Sequence, residues 1–355
     1  MAKLPVSVLI DTYNHERFIE KAIVSVLEQD FPASQREILV VDDGSTDGTP
    51  AIAQKFQPHV RYLRKTNGGQ ASAFNAGIPE CRGEIISFLD ADDYWLPGKL
   101  SKVADVLARN QNVSFVGHGI KECFPDGRQN TVAPAKDERF QVDSLRAAQL
   151  FRLRRCYLGT SRMTMRAELA RRILPVPESL VIEADEYLFT LAAVMSEVVI
   201  LHEALTCYVI HGGNLYFSAG AGDAGARRKQ KVLAALATSL NEALPALGLS
   251  REIVDCIVEI IQAESERDRL MLDGGAPWET LRAENKLFEV LHTDASTSQR
   301  IFRALTMIPA SLLPSRWFYA GRRWLGNRAW YHGMRRGALS IPEVTEVAGP
   351  EEFKA

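Results

Sequence analysis

The chain has 355 residues, of which 46% are hydrophobic, and its net charge is -2. A chain of this length and apolar content buries a sizeable core, which excludes a disordered or fibrous protein. The apolar run near the N-terminus, residues 6–10, is too short for a signal peptide core, and no segment approaches the roughly 20 apolar residues of a membrane span. We expect a globular protein with one large domain and an appendage, or with two domains.

Short β-branched runs alternate with amphipathic segments over the first 120 residues. Strands are predicted at VSVLI, EILVV, VRYL, EIISFL and VSFVG, and helices at residues 17–28, 50–56, 70–81 and 97–108. Asn14 is expected to cap the first helix, and Thr49 followed by Pro50 is expected to begin the second. This βα repeat predicts an α/β fold with a mostly parallel sheet flanked by helices.

Polar side chains, most of them acidic, follow the predicted strands. In open sheets of this kind, ligands bind at the carboxyl ends of the strands. In chain order, the residues at those ends are Asp11 and Thr12, Asp42 and Asp43, Lys65 and Asn67, and then Asp90, Asp92 and Asp93. We therefore expect the acids to converge on one rim of the sheet.

The first predicted strand ends in DTYNHER, which lacks the glycine-rich turn that a dinucleotide-binding sheet uses to cradle a pyrophosphate. A phosphate ligand at an acidic rim needs a divalent cation to bridge the charges, and hard cations prefer carboxylate ligands. The DADD stretch after the fourth strand therefore predicts a metal site for a phosphate-bearing ligand. The alternative is that these aspartates are only turn and cap residues at a strand end.

The pattern over residues 113–210 is mixed, with strand-like runs at RMTMR, EVVIL and LTCYVI and a helix over Asp185 to Met195. A glycine- and alanine-rich stretch follows at residues 211–226, and beyond it only helical segments are predicted. We place a domain boundary near residue 220, which divides a catalytic domain, residues 1–220, from a helical region, residues 221–355.

The five cysteines are scattered and include no CxxC pair: Cys81, Cys123, Cys156, Cys207 and Cys256. This spacing predicts neither a disulfide framework nor a zinc knuckle. We therefore expect a protein of a reducing cytoplasm.

Four blocks of sequence, in this order and spacing, resemble the nucleotide-binding half of the family 2 glycosyltransferases, which share the GT-A fold. The blocks are VSVLIDTYNHERFIEKAIVSVLEQDFP, EILVVDDGSTDGT, NGGQASAFNAGI and GEIISFLDADDYWLPGKL, with fainter similarity at EADEYLF and CYVIHGGN. The resemblance implies a UDP- or dTDP-sugar donor, a Mg²⁺ or Mn²⁺ ion and an inverting displacement at the anomeric carbon. It implies a glycan or lipid-linked acceptor in polysaccharide, cell-envelope glycan or glycolipid synthesis.

The resemblance also implies roles for single residues. The implied nucleotide-binding residues are Thr12, Tyr13, Asp43, Asn67, Gln70 and Asp90. Asp92 is the implied principal metal ligand, and His211 would contact the metal or the diphosphate. Packing is the alternative role for Tyr13, and a structural role is the alternative for His211. Asp11 stands where the family often has proline, and this extra acid is unexplained.

An acceptor hydroxyl attacks poorly unless a base removes its proton. In the family, an acidic pair, usually Glu-Asp, opens a helix beneath the donor sugar, and its second member is the base. Here the pair is Ala184-Asp185, so Asp185 is the implied base, and Glu183 or Glu186 could substitute. The alternative for Asp185 is a helix N-cap. Two rival functions are a phosphohydrolase with an aspartate nucleophile and a donor-binding protein that has lost transfer activity.

The sequence also allows predictions for two further segments, a glycine-rich stretch and an arginine-rich tail. The glycine-rich stretch, with Leu215, Tyr216 and Phe217 at its centre, is predicted to be a lid over bound donor or a flexible linker. Residues 295–342 hold eight arginines and no acid, together with Trp317, Trp324 and Trp330. This pattern predicts peripheral contact with an anionic membrane surface, at its inner face. The alternatives are packing on the catalytic domain or in a homo-oligomer, and nucleic acid is not expected because the rest of the chain is acidic.

Overall fold

The computed structural model describes residues 4–211, 222–291 and 296–326. Its strands are β1 (Val6–Thr12), β2 (Arg36–Asp42), β3 (Arg61–Arg64), β4 (Ile85–Asp90), β5 (Tyr94–Trp95), β6 (Val113–Cys123), β7 (Gln129–Val132), β8 (Glu138–Phe140), β9 (Thr164–Arg166) and β10 (Glu197–Val209). Its helices are α1 (Ile19–Leu27), α2 (Thr49–Gln54), α3 (Gln70–Glu80), α4 (Lys99–Arg109), α5 (Leu145–Arg154), α6 (Ala167–Ile173), α7 (Ala184–Met195), α8 (Gly222–Ala246), α9 (Arg251–Asp273), α10 (Pro277–Leu291), α11 (Thr297–Thr306), α12 (Ile308–Leu312) and α13 (Ser315–Gly326). Short 3₁₀ turns cover Ala33–Gln35, Arg155–Tyr157 and Thr160–Arg162.

The strands form one ten-stranded mixed sheet in the order β3-β2-β1-β4-β9-β6-β10-β5, with β7 beside β6 and β8 beside β10. The strands of the βα repeat, β1 to β4, are parallel to one another. Strand β9 then pairs antiparallel with both β4 and β6, whereas β6 and β10 are parallel. The α/β fold with a sheet flanked by helices is therefore confirmed.

The core around the first strands is apolar on both faces of the sheet. Val8, Leu9 and Ile10 of β1 are all fully buried, as expected for a strand covered by helices on both sides. Helix α1 adds four buried apolar side chains: Ile19, Ala22, Ile23 and Val26. These contacts fix the sheet whose carboxyl edge carries the acidic residues.

Two predicted helix caps differ from the structure. Phe18, not Asn14, precedes α1, and Gly48 precedes α2, so Thr49 is already helical. Asn14 adopts a left-handed conformation with φ of 58°. Its Oδ1 accepts a hydrogen bond from the Thr46 backbone N–H at 2.8 Å. Asn14 therefore connects the end of β1 to the loop after β2, which local sequence patterns do not show.

Cys123 and Cys207 form a disulfide between neighbouring strands β6 and β10, with their Cα atoms 6.1 Å apart. The scattered cysteine spacing, which predicted no disulfide framework, did not indicate this single bond. The runs EVVIL and LTCYVI form one long strand, β10, and it pairs along its length with β6. That register pairs Cys207 with Lys121 and Cys123 with Val209, so the two cysteines lie diagonally across neighbouring strands, although 84 positions separate them in the sequence.

The chain forms two compact units that divide between Ser265 and Glu266. The boundary predicted near residue 220 falls outside the described residues, as does the stretch around Leu215, Tyr216 and Phe217 that was expected to be a lid or linker. From residue 222 onward, every described element is a helix, which agrees with the predicted helical C-terminal region. Among the described helices, none combines the length and apolar character of a bilayer span.

Candidate active site

Five carboxylates meet at the carboxyl edge of the parallel strands and at the start of α7. Asp11, the last residue but one of β1, lies beside Asp90, which ends β4, because the two strands pair in parallel register. The Asp43 backbone N–H, just after β2, donates to the Thr12 carbonyl at 2.9 Å. Asp92 lies two residues beyond β4, and Asp185 lies in the first turn of α7. The structure therefore brings together the acids that the sequence placed at separate strand ends.

These acids repel one another. Burial raises the pKa of Asp11 to about 8, and the charges of Asp92, Asp185 and Asp43 also raise it. Burial raises the pKa of Asp90 well above its ordinary value, with Asp11 and Asp92 adding to the effect. The Asp11 Oδ1 atom is buried, and within the described part of the chain it has no hydrogen-bond partner. An uncompensated carboxylate of this kind suits a site completed by positive charge.

Asp92 and His211 face each other, with Asp92 Oδ2 and His211 Nε2 3.1 Å apart. The His211 ring stacks on Phe18, with ring centroids 4.5 Å apart. The end of β10 is held nearby because the Val209 N–H donates to Asp93 Oδ1 at 3.0 Å. Burial acts to raise the pKa of Asp92, but the hydrogen bond to His211 and the nearby His15 lower it below its ordinary value.

The oxygen and nitrogen donors of Asp92 and His211 fit Mg²⁺ or Mn²⁺. In the described ranges, no group of three or more His, Cys, Asp or Glu side chains could hold a metal ion by itself. Mg²⁺ commonly takes one or two carboxylates and completes its shell with substrate phosphates and water. The residues therefore fit an ion that binds together with a diphosphate.

Asp43 organises the loop before α3. Its carboxylate accepts hydrogen bonds from the Gly68 N–H at 3.0 Å, the Gly69 N–H at 2.6 Å and Lys65 Nζ at 2.7 Å. Asn67 Nδ2 donates to the Asp43 carbonyl at 3.0 Å. Asp43 and Asn67, both implied nucleotide contacts, are thus joined by hydrogen bonds within one loop.

This loop lies directly against the segment that leads into α7. Gly69 has φ of 85°, and a Cβ atom there would lie 2.5 Å from Val181 Cα. The Gln70 N–H donates to the Val181 carbonyl at 3.0 Å. Only glycine allows this approach, so the NGGQ loop and the start of α7 form one surface.

Asp185 is held by a chain of hydrogen bonds that begins at Gln70. Gln70 Nε2 donates to Thr160 Oγ1 at 3.1 Å, and Gln70 Oε1 accepts from the Ala184 N–H at 3.0 Å. Thr160 in turn donates both its N–H and its hydroxyl to Asp185 Oδ2, each at 3.0 Å. The side chain of Asp185 therefore has a fixed position on the rim.

The two acids beside Asp185 have other environments. Glu183, with a left-handed φ of 58°, occupies the N-cap position of α7, so Asp185 is not the cap residue. Burial raises the pKa of Glu183 to about 8, and the nearby Asp185 adds to the effect. Glu186 is buried and paired with Arg155, which also binds Glu264 at 2.7 Å. Of the three acids, Asp185 alone is hydrogen-bonded to the Thr160 turn.

Thr12 and Tyr13 follow β1 but differ in burial. Thr12 is buried, with Oγ1 3.3 Å from His15 Nδ1. The Tyr13 side chain is 45% exposed at the rim, and so it is not packed in the core.

Sequence reasoning missed the 3₁₀ turn that contains Thr160 and Ser161. Ser161 Oγ donates to Asp90 Oδ2 at 3.3 Å and accepts from the Asp90 N–H at 3.1 Å, across 71 positions of sequence. No local pattern marks this turn as part of the site. Only the pairing of β9 between β4 and β6 brings it there.

Comparison with known proteins identifies the family. Residues 7–170 match the sequence profile of glycosyl transferase family 2. An uncharacterized glycosyltransferase of Nostoc sp. is 32% identical over 223 residues, which are 61% of this chain and 68% of that relative. This chain belongs to glycosyltransferase family 2. The phosphohydrolase alternative is therefore wrong.

This family 2 glycosyltransferase is also similar to a second curated relative and to a solved structure. TuaG of Bacillus subtilis, named for a proposed role in teichuronic acid biosynthesis, is 38% identical over 121 residues, 32% of this chain and 47% of TuaG. The chain thus spans about two thirds of the length of the Nostoc relative and about half of the length of TuaG. A crystal structure of S. aureus TarS 1–349 with UDP-GlcNAc has a TM-score of 0.58 over 88% of both chains at 20% identity, which shows a shared GT-A fold.

Proposed function

We propose that this enzyme is a metal-dependent, inverting glycosyltransferase that uses a nucleotide-diphosphate sugar, with Asp185 as its general base. The observation that carries the proposal is that Asp185 is fixed by Thr160 on the same rim as the Asp92 and His211 pair. A base and a diphosphate site on one rim are what a single displacement requires, since the acceptor is deprotonated as the leaving group departs.

The chain's own residues would have separate roles in the displacement reaction. The acceptor oxygen forms a bond to the anomeric carbon while the bond from that carbon to the diphosphate oxygen breaks, and the electron pair leaves with the diphosphate. The acceptor proton passes to Asp185. Because attack and departure occur on opposite faces of the sugar, the configuration inverts. The loop of Asn67 to Gln70 and the residues Thr12, Tyr13, Asp43 and Asp90 would bind and orient the nucleotide.

Asp92 and His211 would hold the divalent ion. Bound there, a Mg²⁺ or Mn²⁺ ion supplies positive charge to the diphosphate. Without that charge, the acidic rim around Asp92 would offer a phosphate-bearing donor no positive partner. The Asp11 Oδ1 atom is buried and has no hydrogen-bond partner among the described residues, so we assign Asp11 to the electrostatic environment of this ion.

Donor and acceptor follow from the family and from the relatives. We propose a uridine or thymidine diphosphate sugar, supported by the UDP-GlcNAc bound to the fold neighbour TarS. We propose a glycan or lipid-linked hydroxyl as acceptor, in polysaccharide or cell-envelope synthesis, supported by the name of TuaG. A cytoplasmic location, with the catalytic domain at residues 1–220, is part of the same proposal.

The decisive experiment replaces the base. Asp185→Asn should keep donor affinity, because the amide retains the shape of the side chain, and should lower turnover by roughly two to four orders of magnitude. Binding is measured by titration calorimetry with UDP-sugars and Mn²⁺, and turnover by release of the nucleoside diphosphate. Glu183→Gln is the matched control and should retain turnover.

Three results would contradict the proposal. Near-normal turnover in Asp185→Asn with loss in Glu183→Gln would assign the base to Glu183. Loss of turnover only in Glu186→Gln, with the fold intact by circular dichroism, would assign it to Glu186. Donor binding without transfer to any acceptor or to water in the wild type would identify a donor-binding protein that has lost activity.

A further inference from the structure

Large apolar side chains are exposed in a concentrated stretch of the second compact unit. Of nine such side chains among the described residues, six lie here: Ile301, Leu305, Ile308, Leu312, Leu313 and Trp317. Their exposed fractions run from 41% for Leu313 to 73% for Trp317. Single exposed apolar residues are normal, whereas a concentration of large ones marks an interaction surface. We call these six residues the apolar stripe.

The apolar stripe is separate from the face by which these helices pack. Ile301 and Leu305 are four residues apart on α11, and Ile308 and Leu312 are four apart on α12, so each pair shares one helix face. The buried residues of this region belong instead to a small core cluster: Leu270, Ala283, Met307, Ala310, Phe318 and Tyr319. The stripe therefore adds nothing to the core, and its exposure indicates that another surface covers it.

The charged residues of the segment that carries the stripe have one sign. Residues 296–326 contain five arginines and no lysine, aspartate or glutamate. Arg303 and Arg322 both bind Glu284 of α10, so one carboxylate offsets two of these charges. Arg300 and Arg316 are exposed on the same segment as the stripe. The segment therefore combines exposed apolar side chains with exposed arginines.

We propose that the apolar stripe docks on the surface of an anionic lipid bilayer. Aliphatic side chains on helix faces enter the boundary between headgroups and acyl chains, arginines bind anionic headgroups, and tryptophan prefers the interface. A second copy of this chain is a poorer partner, because a twofold interface places the patch against itself and would bring two sets of arginines together. The inference does not depend on the donor or the base proposed above.

Flotation of the full chain with lipid vesicles tests the proposal. Wild-type protein should float with vesicles of phosphatidylcholine and phosphatidylglycerol, float poorly with phosphatidylcholine alone, and be released as salt screens the charges. The double variant Leu305→Gln and Leu312→Gln should lower the partition coefficient by about tenfold or more, since it removes exposed apolar surface only. Trp317→Gln should also weaken binding.

The chain offers a matched control, Trp278, which is 63% exposed but lies outside the stripe. Trp278→Gln should float like the wild type, and circular dichroism checks that every variant is folded. The proposal is wrong if the wild type does not float with anionic vesicles, if it binds neutral and anionic vesicles equally, or if the stripe variants float unchanged. A dimer in sedimentation that the stripe variants abolish, without vesicle binding, would assign the stripe to a second copy.

Discussion

At the residue scale, three neighbouring acids acquire different chemistry from their partners. Asp185 accepts two hydrogen bonds from Thr160, Glu186 is paired with Arg155, and Glu183 is half-buried at the start of α7. The helical rotation of about 100° per residue separates the directions of Asp185 and Glu186, whereas Glu183 precedes the helix with a left-handed backbone. Position along the helix, more than residue type, therefore distinguishes a candidate base from a structural ion pair.

Glu183 should give the protein a pH-dependent stability. Its pKa is about 8 in the folded chain and near 4.5 ordinarily, because burial disfavours the charged form. Between those values, the folded state binds a proton that the unfolded chain has released. The free energy of unfolding should therefore fall as pH rises through this window. In Glu183→Gln this contribution is absent, so the variant should gain stability over the wild type as pH approaches 8.

Urea unfolding at a series of pH values, in EDTA so that no ion contributes, measures this effect. Glu178→Gln, at an exposed acid before the same helix, is the control and should follow the wild type at every pH. Parallel curves for the wild type and Glu183→Gln across pH 4.5 to 8 would contradict the assigned cause.

At the element scale, β10 links the active-site rim to the rest of the sheet. The Val209 N–H of this strand donates a hydrogen bond to Asp93 Oδ1, and His211, two residues later, faces Asp92. Farther back along the strand, Cys207 is joined to Cys123 of β6. The disulfide therefore restrains the strand that presents His211.

Under oxidising conditions, this disulfide should stabilise the fold. Cys123→Ser should lower the free energy of unfolding by about 2 to 4 kcal/mol in non-reducing buffer, because the unfolded chain loses its cross-link. The difference should shrink when the wild type is reduced. Cys156→Ser, at an exposed free cysteine, is the control.

Thiol titration of the unfolded protein gives an independent measurement. Non-reducing buffer should show three thiols, from Cys81, Cys156 and Cys256. Five thiols without reductant would mean that the Cys123 and Cys207 bond does not form in solution.

At the scale of the whole molecule, the two compact units carry different surfaces. The first, residues 1–265, contains the acidic rim, and the second contains the apolar stripe with its arginines. Residues 295–342 alone contribute eight positive charges and no negative one, so in a chain of net charge -2 the remaining residues sum to -10.

Donor binding should stabilise the folded chain only with a divalent ion. A ligand at a hundredfold its dissociation constant adds about 2.7 kcal/mol to the free energy of unfolding, so a UDP-sugar with Mn²⁺ should raise the thermal midpoint. EDTA should remove that rise, and Asp92→Asn should reduce it while leaving the midpoint of the free protein nearly unchanged. An equal rise with and without EDTA in the wild type would contradict a metal-dependent site. A panel of nucleotide sugars in the same assay would rank the donors.

The sequence by itself determined the βα repeat, the α/β class and the strand ends that carry Asp11, Asp43, Asp90 and Asp92. These are local properties, because the hydrophobic period and the length of a strand depend on neighbouring residues. The carboxyl ends of parallel strands meet at one edge of the sheet, so the acids could be placed together. The four sequence blocks that resemble family 2 glycosyltransferases could be recognised for the same reason, because each is a continuous run of residues.

Only the tertiary structure decided which distant residues complete the site. Thr160 reaches Asp185, Ser161 reaches Asp90, and Cys207 reaches Cys123 through the order and register of β4, β9, β6 and β10. The structure also showed that Met307 and Ala310 are buried, whereas the residues of the apolar stripe are exposed. Pairing between strands far apart in sequence depends on packing of the whole sheet, so no short stretch of residues predicts it.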